Sequence, residues 1–406
     1  MAKVIVVGGG PAGMMAAITA AKNHEVTLIE ANERLGKKLF ITGKGRCNVT
    51  NAKDIGEFFD HIPGNPSFLY SALYSFTNED VMSMINESGV ELKVERGDRV
   101  FPKSNKSSDI ISFFQRKLND SGVKVLLMSR VSDITFKDRR ISNLKLSNGE
   151  IIHGDYFIFA TGGKSYPSTG STGDGYRFAK KIGHKIIEPK ASLVPIEIKD
   201  SWIKEVQGLS LRNVQITLYK NDKAIYSDFG EMIFTHYGVS GPIILSASRH
   251  VEEKGIYKLS INLKPALTSD ELDLRIKNDF KEYSNRDYKN SLEDLLPKKL
   301  IEVIIKLSNI APNKKVHSIT KEERLNLTSL LQNLTLDIKG LRPIDEAIVT
   351  AGGVAVQEIN PSTMKSKLAE NVYFAGELID VDAFTGGYNV QIAISTGYLA
   401  GIKLGE

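Results

Sequence analysis

The chain has 406 residues, of which 41% are hydrophobic and 25% charged, with 53 Lys plus Arg against 48 Asp plus Glu for a net charge of +5. That length exceeds what one core usually fills, so at least one further domain is expected, and the composition excludes a disordered chain. The small basic excess tolerates a polyanionic partner without demanding one. A single cysteine, Cys47, rules out an intramolecular disulfide and therefore any paired-thiol relay to a redox cofactor. The early apolar run Val4 to Val7 meets Gly8-Gly9-Gly10 at once, too short for a signal-peptide core or a bilayer span, so a cytoplasmic location without a membrane partner is expected. Composition is silent on oligomeric state.

In chain order, Lys3 to Val7 reads as a buried strand, Pro11 to Lys22 as an Ala-rich helix and Val26 to Glu30 as a second strand, a unit that needs a parallel sheet. A helical pattern at Asp109 to Leu118 and apolar runs at Lys124 to Leu127 and Tyr156 to Ala160 extend this α/β layer. Val131 to Phe136 and Ile141 to Leu146, separated by a charged turn, read as a hairpin laid on it. After about Lys190 alternating strands at Val214 to Leu218 and Tyr257 to Leu263 announce a different domain. Ser269 to Ser329 is mostly helical, with Leu and Ile at helical spacing in Leu300 to Leu307. Near Gly340 the glycine-rich α/β style returns and lasts to a C-terminal helix, so the middle is read as an insertion.

Gly8-Gly9-Gly10-Pro11-Ala12-Gly13 fits G-x-G-x-x-G directly after a strand and opening a helix, the context that a dinucleotide fingerprint requires. Gly8 permits the tight turn, Gly10 lets backbone approach a pyrophosphate, and Gly13 brings helix and strand together, while the helix N-terminus favours the anion. Glu30 ends the second strand, where a carboxylate can accept hydrogen bonds from both hydroxyls of an adenosine ribose and disfavours a 2′-phosphate. NAD and FAD both satisfy this end. The other end points to FAD: Asn371 to Phe374 is an apolar strand leading into Gly376-Glu377, suited to the ribityl and pyrophosphate region. Gly386-Gly387-Tyr388-Asn389 then opens the last helix, whose free N–H groups can stabilise negative charge on a reduced flavin. Thr161-Gly162-Gly163, after another strand, is a further turn of the type that passes close to a cofactor, and Val131 at the start of the hairpin is counted with the cofactor residues. Between Arg34 and Arg46 a basic, glycine-interleaved loop carries Lys37, Lys38, Gly45 and Arg46, either a clamp for the pyrophosphate or a solvated surface loop.

Long stretches, among them Thr42-Gly43-Lys44-Gly45-Arg46-Cys47-Asn48-Val49-Thr50-Asn51, Arg99-Val100-Phe101-Pro102, Glu231 to Pro242, Leu295 to Lys298 and Phe384 to Asn389, resemble the BaiN/YhiN/YtfP-like family of bacterial flavoproteins over nearly the whole chain. The resemblance implies a discontinuous FAD domain with an inserted β-barrel-like domain and a small helical domain. The expected fold is therefore α/β, a doubly wound Rossmann-like FAD-binding domain in two parts, 1–190 and 341–406. A β-rich insertion is expected over 191–268 and 330–340, and a helical subdomain over 269–329. Family members carry differing activities, including bile-acid-pathway reduction and formation of dihydrouridine in large-subunit ribosomal RNA.

Two residues are candidates for proton transfer. Cys47 sits in the basic loop, where Lys44 and Arg46 would lower its pKa; it is either an acid beside the flavin or a small packed side chain. His236, in the Phe-Thr-His-Tyr-Gly stretch, is the best-placed histidine for an acid, base or substrate contact, with a purely structural role as the alternative. Arg96, Arg99, Lys103 and Lys106 bracket Phe101, a basic loop that can receive a nucleic-acid backbone and stack a base, or simply stand in solvent. No metal spacing is present. The leading expectation is an FAD enzyme that takes hydride from NAD(P)H and reduces an activated C=C bond, with uridine in ribosomal RNA as substrate on resemblance. A small-molecule flavin oxidase or reductase and a non-catalytic, flavin-bearing RNA-binding factor are the alternatives.

Overall fold

Four consecutive apolar residues from Val4 to Val7 leave no polar face, and such a strand is stable only with both sides covered. In the computed structural model, which describes residues 1–252 and 254–406, this segment is the strand Lys3–Val7 at the centre of a five-stranded parallel sheet. The sheet order is Val372–Phe374, Tyr156–Phe159, Lys3–Val7, Glu25–Ile29, Lys124–Leu126. Val4 lies opposite both Val26 and Tyr156, and Phe157 opposite Val372. Val4 and Val6 are fully buried, each worth roughly 1.5–3 kcal/mol by removal from water. Because all five strands are parallel, the segments after them leave from one edge, and the order reverses at Lys3–Val7, where open α/β sheets place their ligands.

The chain forms two units, one of Met1–Ser192 with Ile344–Glu406 and one of Leu193–Pro343. In the first, the helix Pro11–Ala20 stops two residues before the expected Lys22, because the N–H groups of Lys22 and Asn23 bond to the carbonyls of Thr19 and Ala20 in a tightened last turn. The helix Tyr388–Ile402 packs against it at close range: a Cβ on Gly397 would lie 2.2 Å from the Ala12 carbonyl oxygen and one on Gly401 2.5 Å from that of Ala16. This matched advance shows the two helices running parallel, their N-termini pointing the same way. The expected hairpin is present as Val131–Lys137 and Arg140–Leu146, joined by a third strand, Ile151–His153, too short to stand out in the sequence. Two further sheets complete the unit: Thr50–Asn51, Arg99–Pro102 and Leu92–Glu95, and the pair Ile186–Ser192 with Val349–Val354.

The second unit is built on a closed barrel ordered Ile196–Ile198, Gly238–Ser240, Lys223–Phe234, Ser210–Lys220, Tyr257–Asn262, Leu334–Leu341. Alternating residues of Ser210–Lys220 point inward, so Val214, Ile216 and Leu218 are buried while Asn213 and Gln215 are exposed. The helices Ser269–Glu282 and Lys321–Gln332 each begin in a capping box, Thr268 with Glu271 and Thr320 with Glu323, which satisfies the first free N–H groups. Leu272, Ile276, Leu327 and Leu331 from these helices, with Leu300 and Ile304 from Lys298–Leu307, share one apolar core with Ile216, Leu259 and Ile261 of the barrel. Among the described residues no helix is long and apolar enough to cross a membrane.

Candidate cofactor site

The fingerprint glycines divide into two kinds. Gly8, at φ +110°, and Gly13 are hemmed in: a Cβ on Gly8 would stand 2.4 Å from the Ala160 carbonyl oxygen, and one on Gly13 1.8 Å from that of Gly8. They make the turn and the helix–strand contact possible. Gly10 is different, for a Cβ there meets nothing within 4 Å. It is the N-cap of Pro11–Ala20, with Pro11 at the first helical position and no side chain capping the helix, so this start presents bare N–H groups to an open space. Glu30 is buried behind the turn, accepting from the Gly9 N–H at 2.7 Å and from Asn32 N and Nδ2 at 2.8 and 2.6 Å. Lys37 Nζ reaches Asn32 Oδ1 at 3.3 Å, and the backbone at Met128 and Ser129 bonds to the carbonyls of Asn32 and Glu30, bringing the buried Val131 alongside this loop.

The loops after two other strands of the sheet form a polar network. Glu377 accepts from Lys38 Nζ at 2.7 Å, from Ser165 Oγ at 3.0 Å and from the Thr350 N–H at 2.8 Å, while Lys38 also donates to Ser165 Oγ at 2.6 Å. Gly162 takes φ +73°, and a Cβ on Gly163 would be 2.3 Å from Thr350 Oγ1. Gly376 abuts Ala12, its would-be Cβ 2.8 Å from the Ala12 methyl carbon. Ser165 and Thr350 escaped the sequence reading; the Gly352-Gly353 pair after Thr350 was the available signal.

The start of the last helix is held by the short strand Thr50–Asn51 that follows the basic loop. A Cβ on Gly387 would lie 2.3 Å from the Thr50 carbonyl oxygen, Asn51 Nδ2 donates to the Gly386 carbonyl at 3.1 Å, and Thr50 Oγ1 donates to Gln391 Oε1 at 2.7 Å. No side chain caps this helix either. Asn389, expected to touch cofactor, folds back on its own loop, accepting from the Ala383 N–H at 2.9 Å and donating to the Ala383 carbonyl at 2.7 Å. Tyr388 is buried, its phenol pushed upward by desolvation, with His61 stacked on its ring at 4.5 Å. Gly45 has open space on its Cβ side. Arg46 pairs with Glu95, donates to Asn105 Oδ1 at 3.0 Å and lies 4.2 Å over the Phe101 ring, so its head is already engaged by protein.

Lys44 and Arg46 do not lower the Cys47 thiol; burial pushes it up to about 12, with the Thr42 hydroxyl opposing weakly, because Cys47 is fully enclosed in the apolar core. Phe101 cannot stack a base, being buried beneath Arg46 and against Gly43. His236 belongs to the second unit, exposed on the turn closed by Thr235 N–H to the Gly238 carbonyl at 2.8 Å, its ring edge-on to Tyr237 at 4.7 Å. Among the described residues no cluster of metal-ligating side chains occurs.

A dinucleotide fits these groups. Thr161 Oγ1 and Asn48 Oδ1 are buried polar atoms without a hydrogen-bond partner, one in the glycine turn after Tyr156–Phe159 and one in the segment behind the last helix. Such orphans cost about 1–3 kcal/mol unless a ligand satisfies them.

Over residues 2–403 the chain matches the family described as HI0933-like protein Rossmann domain. It is 30% identical to the 3-dehydro-bile acid delta(4,6)-reductase of Clostridium scindens, across 100% of both chains. It is 31% identical to the ribosomal RNA dihydrouridine synthase of Haemophilus influenzae, across 98% of both. Among solved structures, a flavocytochrome c3 fumarate reductase shares the fold at a TM-score of 0.50 and 16% identity, covering 99% of this chain and 78% of that one.

Proposed function

Because this chain belongs to the HI0933-like family and is an FAD-binding oxidoreductase, we propose that it carries out NAD(P)H-driven reduction of a conjugated C=C bond, with uridine in ribosomal RNA as the favoured substrate. One arrangement carries the reading: two parallel helices with uncapped starts, staggered along a common direction. Gly387 stands ten residues before Gly397, which touches Ala12, whereas Gly10 stands only two before Ala12. The second start therefore lies roughly 12 Å beyond the first at 1.5 Å per residue, a separation suited to a ribityl chain between pyrophosphate and flavin ring.

When bound, FAD would supply hydride chemistry toward one carbon of the double bond, with NAD(P)H as the proposed source of the electrons. The chain's own residues bind and orient. Gly10 and the first helix start receive the pyrophosphate, Glu30 the adenosine ribose, and Thr161 and the Lys38–Glu377–Ser165 network the linker. The start at Gly387 favours negative charge on the ring. The second carbon needs a proton, and Cys47 is unsuited to give it, because its thiol is enclosed and pushed up to about 12.

The names of both curated relatives denote hydrogen added across a carbon–carbon double bond, which supports the reaction class. The Haemophilus influenzae relative supports RNA as substrate, and with it a cytoplasmic reaction. The Clostridium scindens relative supports a second reading, a small conjugated ketone. Mass spectrometry of large-subunit ribosomal RNA from a deletion strain separates the two. Loss of one dihydrouridine, restored by the gene, is the expected result. Unchanged RNA, together with ketone reduction by purified protein, would overturn the RNA assignment.

A further inference from the structure

The short helices beside the last-helix start carry an aromatic cluster that no step above uses. Phe58 and Phe59 are neighbours on the 3-10 helix Ile55–His61. Phe58 points inward, fully buried and edge-on to Tyr388 at 5.0 Å. Phe59 points outward and stacks on Tyr70 at 4.2 Å with 17° between the rings. Tyr74, one turn along the helix Tyr70–Ser75, continues the set, 6.1 Å from both rings and within 8° of parallel to Tyr70. Tyr70 and Tyr74 are 52% and 54% exposed. Three near-parallel rings thus stand at the surface, tied through Phe58 and His61 to Tyr388.

Resting on the RNA reading of the previous section, we propose that Phe59, Tyr70 and Tyr74 form a stacking platform for unpaired bases flanking the target uridine. Parallel, solvent-open rings accept any base on a free face, and splayed bases are how proteins grip single-stranded RNA. The surrounding charges set the orientation. The platform helix bears uncharged Ser71 and Ser75, and near it Asp60 is acidic while Glu57 is paired with Lys53 at 3.2 Å, so this side suits neutral bases and repels phosphate. In the same unit the hairpin Leu92–Glu95 and Arg99–Pro102 carries Arg96 and Arg99, with Lys93 already paired to Glu95 at 3.0 Å, cations that attract the backbone.

The test compares the parent holoenzyme with Tyr70→Ala/Tyr74→Ala and Tyr70→Trp/Tyr74→Trp on a single-stranded fragment of large-subunit ribosomal RNA. The alanine pair should raise KM for RNA by about tenfold or more while FAD content, melting temperature and the rate at which NAD(P)H reduces the flavin stay at parent values. The tryptophan pair should retain parent KM. Parent-like KM in the alanine pair overturns the platform, as does an equal loss on fully duplex RNA, which offers no splayed base. A parent enzyme that neither binds nor modifies RNA overturns the substrate reading itself, a result visible before any variant is made.

Discussion

Gly10→Val separates a cofactor contact from a folding requirement, because the two predict opposite behaviour at this position. Gly10 sits at φ −79° and ψ 179°, an extended geometry that valine adopts without strain, and a Cβ there meets nothing within 4 Å. The gain from restricting the unfolded chain, about 0.4–1 kcal/mol, is offset by valine's poorer N-cap propensity, so apo stability should change by less than about 1 kcal/mol. Cofactor binding should suffer far more. A valine side chain fills the space through which the pyrophosphate reaches the helix N–H groups, and losing two charge-assisted hydrogen bonds at about 1.5–3 kcal/mol each weakens FAD by roughly 10²- to 10⁴-fold. Thermal melting of flavin-free protein and FAD titration by fluorescence measure the two quantities separately. A folded variant with undiminished FAD occupancy would refute the placement of the pyrophosphate at Gly10. Gly13→Ala provides the contrast: its methyl would sit 1.8 Å from the Gly8 carbonyl oxygen, so apo stability itself should fall.

Glu30→Gln keeps one acceptor for the Gly9 and Asn32 donors, so FAD should weaken by only about tenfold, and a loss as large as that of Gly10→Val would contradict the ribose role. Cys47→Ala should retain FAD and turnover within a few-fold while costing about 1 kcal/mol of stability; full FAD with turnover abolished would return the thiol to the list of acids. His184 is enclosed between Glu358 at 3.0 Å and Ser366 at 2.7 Å, and burial holds its pKa below the usual 6.5 despite the carboxylate. The folded state then binds fewer protons than the unfolded one. Its contribution is fully present above pH 6.5 and is lost as pH falls through the lowered value. Melting temperature followed against pH should decline less on the acid side in His184→Gln than in the parent, and identical slopes would refute this.

What the amino-acid order determined by itself was the part built from neighbours. The strand Lys3–Val7, the turn at Gly8 to Gly13, the helix after it and Glu30 lie within one short βαβ unit, where apolar runs, glycine spacing and a carboxylate at the strand end leave few alternatives. The same local logic located the hairpin and the helical stretch of the insertion, with boundaries shifted by one to three residues. Tertiary structure decided what depends on distant partners. Lys38 meets Glu377 across 339 positions, and Ser165 meets Thr350 across 185, contacts without any local signature. It also decided solvent access. Cys47 stands among cations in the sequence yet inside the apolar core in space, so desolvation reverses the expected direction of its pKa. Phe101 is covered by Arg46 from a separate loop, Asn389 is consumed by its own loop, and Tyr70 and Tyr74, unremarked in the sequence, stand open beside Phe59. Spacing along the chain reports which groups can be neighbours, but burial and long-range pairing set the charge state and availability on which chemistry depends, and both arise only when the parallel sheet brings its loops to one edge.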